Sequence, residues 1–172
     1  MPARRAFPGL ALLLTLAACA PRPAPVDEKP LAAAVDSAAV KAAVAGLWQK
    51  MIASDTAEDV AGVAALISEK GRFDERGVPP MLGRAAWQAT AEPAMKGRDV
   101  MAFSVRPEMT MAITNDLAYE LGTYSETSMD RKTKKTSTDY GRYATAIGKE
   151  PDGQWRFSYL MAFVDSTVAV RK

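Results

Sequence analysis

The sequence has no histidine, and Cys19 is its single cysteine. Without histidine, the chain lacks the commonest metal ligand and the usual general base near neutral pH. One cysteine excludes disulfide frameworks, zinc–thiolate sites and cysteine–histidine nucleophile pairs within one chain. A glycine-rich phosphate loop, a nucleophile elbow and a cluster of metal ligands are also missing from the sequence. We therefore predict no cofactor and no metal, and the sequence names no catalytic residue.

Excess charge of one sign is also missing. The 172 residues include 22 basic and 20 acidic side chains, and Arg4 and Arg5 lie in a segment expected to be removed. The remaining charges balance, which argues against nucleic-acid binding, because that binding depends on clustered Lys and Arg. Hydrophobic residues make up 48% of the chain, enough for the core of one domain.

The N-terminus has the three zones of a secretory signal. Arg4 and Arg5 give a positive start, residues 10–16 form an apolar run, and small residues precede Cys19. The run is too short to cross a bilayer core of about 30 Å, which needs about 20 apolar residues. We predict a cleavable signal peptide over residues 1–18.

The run Leu16-Ala17-Ala18-Cys19 resembles the bacterial lipobox. The resemblance implies thioether lipidation of Cys19, cleavage before it and acylation of the new N-terminus, and several acyl chains anchor a protein firmly. An ordinary signal peptide that contains a cysteine is the alternative, and the arginine pair also hints at twin-arginine export. Ala20, where Asp would signal retention at the inner membrane, favours the outer membrane, facing the periplasm.

Four prolines follow Cys19 within residues 20–30 and favour an extended spacer. A proline-rich ligand for a partner is the alternative. We assign residues 19–35 to the lipidated cysteine and tether, residues 36–168 to a folded domain, and residues 169–172 to a C-terminal tail.

The first half of the domain has helical periodicity. A helix that starts near Ala33 places one apolar face on Val40, Val44, Leu47, Trp48 and Met51. A second helix is predicted from an N-cap at Thr56 to Gly71, with Ile67 in its apolar stripe. A short strand at residues 72–74, a turn at residues 77–80 and a third helix over residues 84–95 follow, with a kink at Pro93.

The second half has the alternation of strands. Met101, Phe103 and Val105 share one parity, and Pro107 indicates a bulge or an edge. Asn115-Asp116 marks a turn into a strand over residues 117–127, and a polar stretch over residues 128–137 leads to a strand over residues 138–149. After a tight turn, the last strand places Trp155, Phe157, Tyr159, Met161 and Phe163 on one face. Helices followed by a strand meander predict an α+β fold.

Three segments resemble the SnoaL-like, nuclear transport factor 2-like superfamily. They are Pro79-Pro80-Met81-Leu82-Gly83-Arg84, the run Asn115-Asp116-Leu117-Ala118-Tyr119-Glu120-Leu121-Gly122-Thr123-Tyr124, and Gly141-Arg142-Tyr143-Ala144-Thr145 with the following residues 149–155. The likeness spans residues 38–166 and implies a cone: N-terminal helices packed in the concave face of a strongly curved, mainly antiparallel sheet, as in cystatin-like folds. It further implies an apolar cavity open at one end, and dimers that form through the sheet.

Enzymes with this fold include ketosteroid isomerase-like and polyketide cyclase-like proteins, and they place an Asp base in the cavity. Related domains carry an acid in the middle of the last strand, where this chain has Leu160. The acid nearest to that position is Asp165, at the end of the strand; Asp139 opens the preceding strand, and Asp74 and Glu75 lie near the second helix. At strand ends such acids are more simply solvated.

Soft apolar and aromatic residues suit a pocket that holds a small apolar ligand, although the same residues are typical of a core. The pocket candidates are Trp48, Met81, Met101, Phe103, Tyr119, Tyr143, Tyr159 and Met161. The basic run at residues 130–135 either meets anionic lipid headgroups or keeps a loop solvated. Together these features favour a lipid-anchored envelope protein that binds a small apolar molecule or a partner. The alternatives are an acid–base enzyme of the isomerase or cyclase type and a structural dimerisation module.

Overall fold

The computed structural model describes residues 34–170, so the predicted signal peptide, Cys19 and most of the tether lie outside the described residues. No helix among them is long and apolar enough to cross a membrane. The elements are α1 (Ser37–Thr56), α2 (Val60–Ala65), β1 (Ile67–Glu75), β2 (Met81–Leu82), α3 (Arg84–Lys96), β3 (Arg98–Thr114), β4 (Leu117–Asp130), β5 (Thr136–Lys149) and β6 (Trp155–Ala169).

The strands form one six-stranded sheet with the order β2-β1-β6-β5-β4-β3. Each neighbouring pair is antiparallel except β1 and β6, which run parallel. The helices pack against one face of this open, curved sheet. The predicted α+β cone is therefore confirmed.

Helix α1 fills the base of the cone. Its five buried residues are those of the predicted apolar face: Val40, Val44, Leu47, Trp48 and Met51. Asp36 caps the helix by accepting a hydrogen bond from the backbone N–H of Ala39 at 3.0 Å. The Asn115 side chain accepts a hydrogen bond from the backbone N–H of Asp36 at 2.7 Å, and so fixes the start of the helix at the β3–β4 turn.

The predicted second helix is wrong at both ends. Thr56 is the last residue of α1, where its hydroxyl donates to the carbonyl of Ile52, and Asp59 is the N-cap of the six-residue α2. Ile67 begins β1, and Gly71 lies inside that strand. A Cβ on Gly71 would lie 3.2 Å from the carbonyl oxygen of Phe157. Gly71 therefore serves the close approach of β1 to β6 rather than a helix end.

The β4–β5 connection is shorter than the predicted polar loop, because the strands extend to Asp130 and from Thr136. The Asp130 carboxylate accepts hydrogen bonds from the N–H and the hydroxyl of Thr133, at 2.6 and 2.8 Å, and tightens the turn. Arg131 is paired with Glu58 and Asp99. The strand β6 also reaches Ala169, one residue into the predicted tail.

Irregularities in strand pairing reverse the facing of residues along two strands. In β6 the register shifts so that Ala146 pairs with Tyr159 but Ile147 pairs with Phe157, which leaves Ser158 as an extra residue. In β3 one shift falls between Val100 and Ala102, and another between Pro107 and Met109. The second shift lies beside Pro107, where a bulge or an edge was predicted. An extra residue moves all later side chains to the opposite face.

Two neighbouring rows on the outer face of the sheet are apolar. One row across β3, β4, β5 and β6 consists of Met111, Tyr119, Ala146 and Tyr159, and the adjacent row consists of Met109, Leu121, Ala144 and Met161. Met109 and Met111 are exposed, and the others of these rows are partly exposed. The rows form a continuous apolar strip, which we call the outer strip.

A buried carboxylate joins α1 to the sheet. Glu120 on β4 is 1% exposed and accepts hydrogen bonds from the Trp48 indole at 2.6 Å, the Tyr143 hydroxyl at 2.9 Å and the Thr110 hydroxyl at 2.5 Å. The Trp48 ring also meets Tyr143 and Phe157 edge-on, with centroids 4.9 and 4.8 Å apart. Glu120 thus supplies the acceptor that three donors need inside the cone.

We expect Glu120→Leu to lower the free energy of unfolding by about 3 kcal/mol, because it leaves two buried donors and the half-buried Thr110 hydroxyl without an acceptor. Glu120→Gln should cost less than about 1 kcal/mol, since its amide oxygen can serve Trp48 and Tyr143 while the Thr110 hydroxyl accepts from its NH2 group. Urea unfolding followed by tryptophan fluorescence measures both variants. Equal losses for the two would contradict this role for the hydrogen bonds.

Candidate functional site

The cone encloses a cavity of about 350 Å³ between α1, α3 and the concave face of the sheet. This volume is at the small end of the range of roughly 300–1,000 Å³ for small-molecule sites. Its wall is largely apolar and includes Met51, Val63, Phe73, Val78, Trp87, Met95, Val105, Leu160, Ala162 and Val164. The side chains of the sheet and the helices therefore leave an unfilled space inside the cone.

Four of the predicted pocket residues line the cavity. Trp48 comes from α1, Met81 from β2, Phe103 from β3 and Tyr143 from β5. The hydroxyl of Tyr143 is engaged by Glu120, so this tyrosine offers the cavity mainly its ring.

The other four pocket candidates do not line the cavity. Tyr119, Tyr159 and Met161 belong to the outer strip, and Met101 is 62% exposed. The cause for Tyr159 and Met161 is the extra residue Ser158, which turns Leu160, Ala162 and Val164 inward in their place. Met101 lies at the shift between Val100 and Ala102 and does not share the face of Phe103.

The predicted acids divide between the two faces. Asp74 is paired with Arg72 at 2.9 Å and Asp165 with Arg142 at 2.8 Å, and each arginine, through its hydrogen bonds, lowers the pKa of its carboxyl. Neither of these two acids lines the cavity, whereas Glu75 and Asp139 do. Leu160, at the position where related domains carry an acid, is part of the apolar wall.

Two further acids line the cavity and escaped the sequence reasoning. Asp55 comes from the last turn of α1, and Glu126 from β4, directly opposite Asp139 on β5. We call Asp55, Glu75, Glu126 and Asp139 the carboxyl cluster. Their periodicity was a usable signal: Asp55 continues the helical stripe of Trp48 and Met51, and Glu126 shares the strand parity of Glu120.

Arg98 is the basic residue that acts on this cluster. Its Nη1 lies 2.8 Å from Oε1 of Glu126, and its charge also acts on Asp55 and Glu75. Arg76, the other basic residue of the lining, is exposed, as is Glu75. The cavity lining therefore has four carboxyls and two arginines.

Desolvation opposes the ionisation of Asp55, Glu75 and Glu126. It raises the pKa of Glu126 to about 7 despite Arg98, and the side chain is only 13% exposed. A shift from 4.5 to about 7 corresponds to roughly 3 kcal/mol against the charged form. Desolvation also raises the pKa of Asp55 and of Glu75, but the open position of Glu75 at the rim limits the effect there.

Besides Tyr143, the cavity lining includes Tyr124. Desolvation, followed by the charges of Asp139 and Glu126, raises its pKa to about 12. Its hydroxyl therefore stays protonated at neutral pH and can donate a hydrogen bond.

Two buried polar atoms of the cavity lining have no partner within residues 34–170: Oδ2 of Asp55 and Nε of Arg98. Oε1 of Glu126 has only its ionic contact with Nη1 of Arg98. Buried polar atoms are normally satisfied, so Oδ2 of Asp55 and Nε of Arg98 have unused capacity for a bound group. Among the described residues, no three acids are arranged to hold a metal ion. The arrangement can instead take up a proton or bind a hydrogen-bond donor.

No protein-family model and no curated protein matches this sequence. Solved structures do match. A ketosteroid isomerase-like protein from Erwinia carotovora atroseptica is 13% identical, with a TM-score of 0.66 over 73% of this chain and 95% of that one. A type 2 hexachlorocyclohexane dehydrochlorinase, LinA, is 12% identical, with a TM-score of 0.66 over 78% and 90% of the two chains.

A conserved protein from Planctomyces limnophilus is 14% identical, with a TM-score of 0.67 over 77% of this chain and 99% of that one. Identities this low show the fold and leave the chemistry open. The described chain has the fold of these solved structures, which is the α+β cone that the sequence resemblance predicted.

Proposed function

We propose that this protein is a lipid-anchored envelope protein whose cone binds a small molecule with an apolar body. The observation that carries the proposal is the cavity of about 350 Å³, which has an apolar wall and a polar group of carboxyls at one end. Apolar pockets with a few converging polar groups are typical small-molecule sites.

The anchor is proposed from the sequence. Residues 1–19 carry the positive start, the short apolar run and the Leu-Ala-Ala-Cys string of a lipoprotein signal. Lipidated Cys19 would hold the protein at the outer membrane, facing the periplasm, with residues 20–35 as the spacer.

The described domain separates the tether end from the carboxyl cluster. The carbonyl of Ala34 accepts a hydrogen bond from Asn115 at the β3–β4 turn, where β4 begins. Glu126 lies near the other end of β4, and Asp55 near the other end of α1. This placement supports a cavity whose polar end points away from the point where the tether joins the domain.

We propose that the outer strip pairs with a second copy of the chain. The strip runs from the exposed Met109 and Met111 on β3 across β4 and β5 to the partly exposed Tyr159 and Met161 on β6. Continuous apolar patches of this kind mark association surfaces. A purely structural dimerisation module is less well supported, because side chains do not fill the cone.

An acid–base enzyme is the second candidate. The specific observation in its favour is Glu126, a carboxyl with a pKa of about 7 in an apolar cavity that Tyr124 also lines. A base with a pKa near the working pH is the most effective at proton transfer. A solved structure of the same fold carries the name of a dehydrochlorinase.

We expect Cys19→Ser to release the chain from the membrane. The wild-type chain, expressed in a Gram-negative host, should fractionate with the outer membrane and give an N-terminal peptide with the mass of the acylated form. The variant should give no acylated N-terminal peptide. Fractionation and mass spectrometry of the N-terminal peptide check both points. Membrane retention of the variant, or an unmodified Cys19 in the wild type, would rule out lipidation as the anchor.

We expect Ala91→Trp, which fills the cavity from α3, to abolish the capture of a small molecule. Ala89→Trp is the matched control, because Ala89 lies exposed on the same helix and outside the cavity lining. Native mass spectrometry of the full chain, extracted from its own membranes, should show a mass excess that vanishes on denaturation in the wild type and the control only. The same spectra report whether the chain is a dimer.

An equal mass excess in Ala91→Trp would place the bound molecule outside the cone. A chain without any mass excess, in all three forms, would count against a resident ligand and favour the enzyme, whose substrate leaves after turnover.

For the enzyme candidate, we expect the protein to open the ring of 5-nitrobenzisoxazole, in which a base removes the ring C–H proton as the N–O bond breaks. Activity should rise with pH to half its maximum near pH 7, as Glu126 loses its proton. Glu126→Gln should lower the rate by roughly 100-fold, and Glu69→Gln, which changes an exposed acid, should not. A rate equal to that of buffer would exclude Glu126 as an accessible base.

A further inference from the structure

We propose that the carboxyl cluster receives the ammonium group of a cationic amphiphile, whose apolar body lies in the cone. The inference rests on the proposed ligand-binding function and names the class of ligand. Four separate elements bring the carboxyls together: α1 supplies Asp55, β1 supplies Glu75, β4 supplies Glu126 and β5 supplies Asp139.

The charge of the cavity lining is unbalanced. Four acids, the carboxyl cluster, line the cavity together with two basic residues, Arg76 and Arg98. Arg98 contacts Glu126 and acts electrostatically on Asp55 and Glu75, whereas Arg76 is exposed. Buried acids without matching cations are costly, and a positive ligand group would supply the missing charge.

Free hydrogen-bonding capacity lies at the same place. Oδ2 of Asp55 is a buried acceptor without a hydrogen bond from the described residues, and Oε1 of Glu126 has only the ionic contact with Nη1 of Arg98 at 2.8 Å. An ammonium group has three donors and no acceptor. It can therefore donate to Asp55 and to Glu126 at once, whereas a hydroxyl has one donor.

The protonation behaviour agrees with this geometry. Desolvation is the largest cause of the raised pKa of Asp55 and of Glu126, and Arg98 offsets only part of it. Asp139 and Glu75 face Glu126 as well and raise its pKa further. A bound cation would lower these pKa values, so its binding would be coupled to proton release.

The other ligand classes fit less well. An anion would meet Arg98 together with three carboxyls, and the Tyr143 hydroxyl already donates to Glu120. A metal ion lacks a suitable set of three acids among residues 34–170. An uncharged ligand would leave the charge imbalance unchanged.

The test uses three probes with one aromatic body: 1-naphthylmethylamine, which is protonated at the pH values used, 1-naphthalenemethanol and 1-naphthoate. The full chain is held in phosphatidylcholine nanodiscs, and empty nanodiscs give the blank titration. At about pH 8, we expect calorimetry to show the amine binding at least about tenfold more tightly than the alcohol, and naphthoate more weakly than the alcohol.

Variants then assign the effect to the cluster. Glu126→Gln and Asp55→Asn should each lower the affinity for the amine by at least about fivefold and leave the affinity for the alcohol unchanged. Glu69→Gln removes an exposed acid that is 81% accessible and is the matched control. Moving from about pH 8 to about pH 5.5 should weaken the amine alone, because Glu126 takes up a proton.

The outcomes separate this inference from the proposed function. Equal binding of the amine and the alcohol, both abolished by Ala91→Trp, would overturn the ammonium site and keep the ligand-binding cone. Tightest binding of naphthoate would also overturn it, because Arg98 would then dominate. If none of the probes binds, the inference fails, and the native mass spectra of Ala91→Trp and Ala89→Trp decide separately on the cone.

Discussion

The structure depends on one constraint: the helices cover only part of the concave face of the curved sheet. Helix α1 covers the base of the cone and is joined to β4 and β5 by Glu120, which accepts from Trp48 and Tyr143. The sheet curves away from α1 toward the far end of the cone. The side chains there therefore have no helix packed directly against them. The cavity and its polar lining follow from that geometry.

The same constraint explains why the carboxyls are unusual. Asp55 ends the helix that fills the cone, and Glu126 and Asp139 occupy paired positions where the sheet leaves that helix. Each residue is ordinary in its own segment. The convergence of Asp55 and Glu126 in a desolvated space raises their cost of ionisation, and the carboxyl cluster with Arg98 gives the site its chemical character.

Much of the fold could be predicted because periodicity reports local burial. The apolar face of α1 and the Asn115-Asp116 turn were confirmed, as was the bulge beside Pro107. The error at α2 arose because Ile67 suits a helix stripe and a strand equally well, and only the pairing with β6 decides between them. Four of the eight pocket candidates lie outside the cavity. For Met101, Tyr159 and Met161 the reason is that strand parity holds only until a register shift. Ser158 reverses it within β6.

The sequence by itself determined the class of fold, the absence of histidine and disulfide chemistry, and the case for a lipid anchor at Cys19, since these depend on residue type and local pattern. Only the tertiary structure decided which residues face the cavity. Facing depends on single extra residues in β3 and β6, and the carboxyl cluster depends on four segments that are distant in sequence. Such convergence is a property of the whole packed cone, because no one segment encodes it.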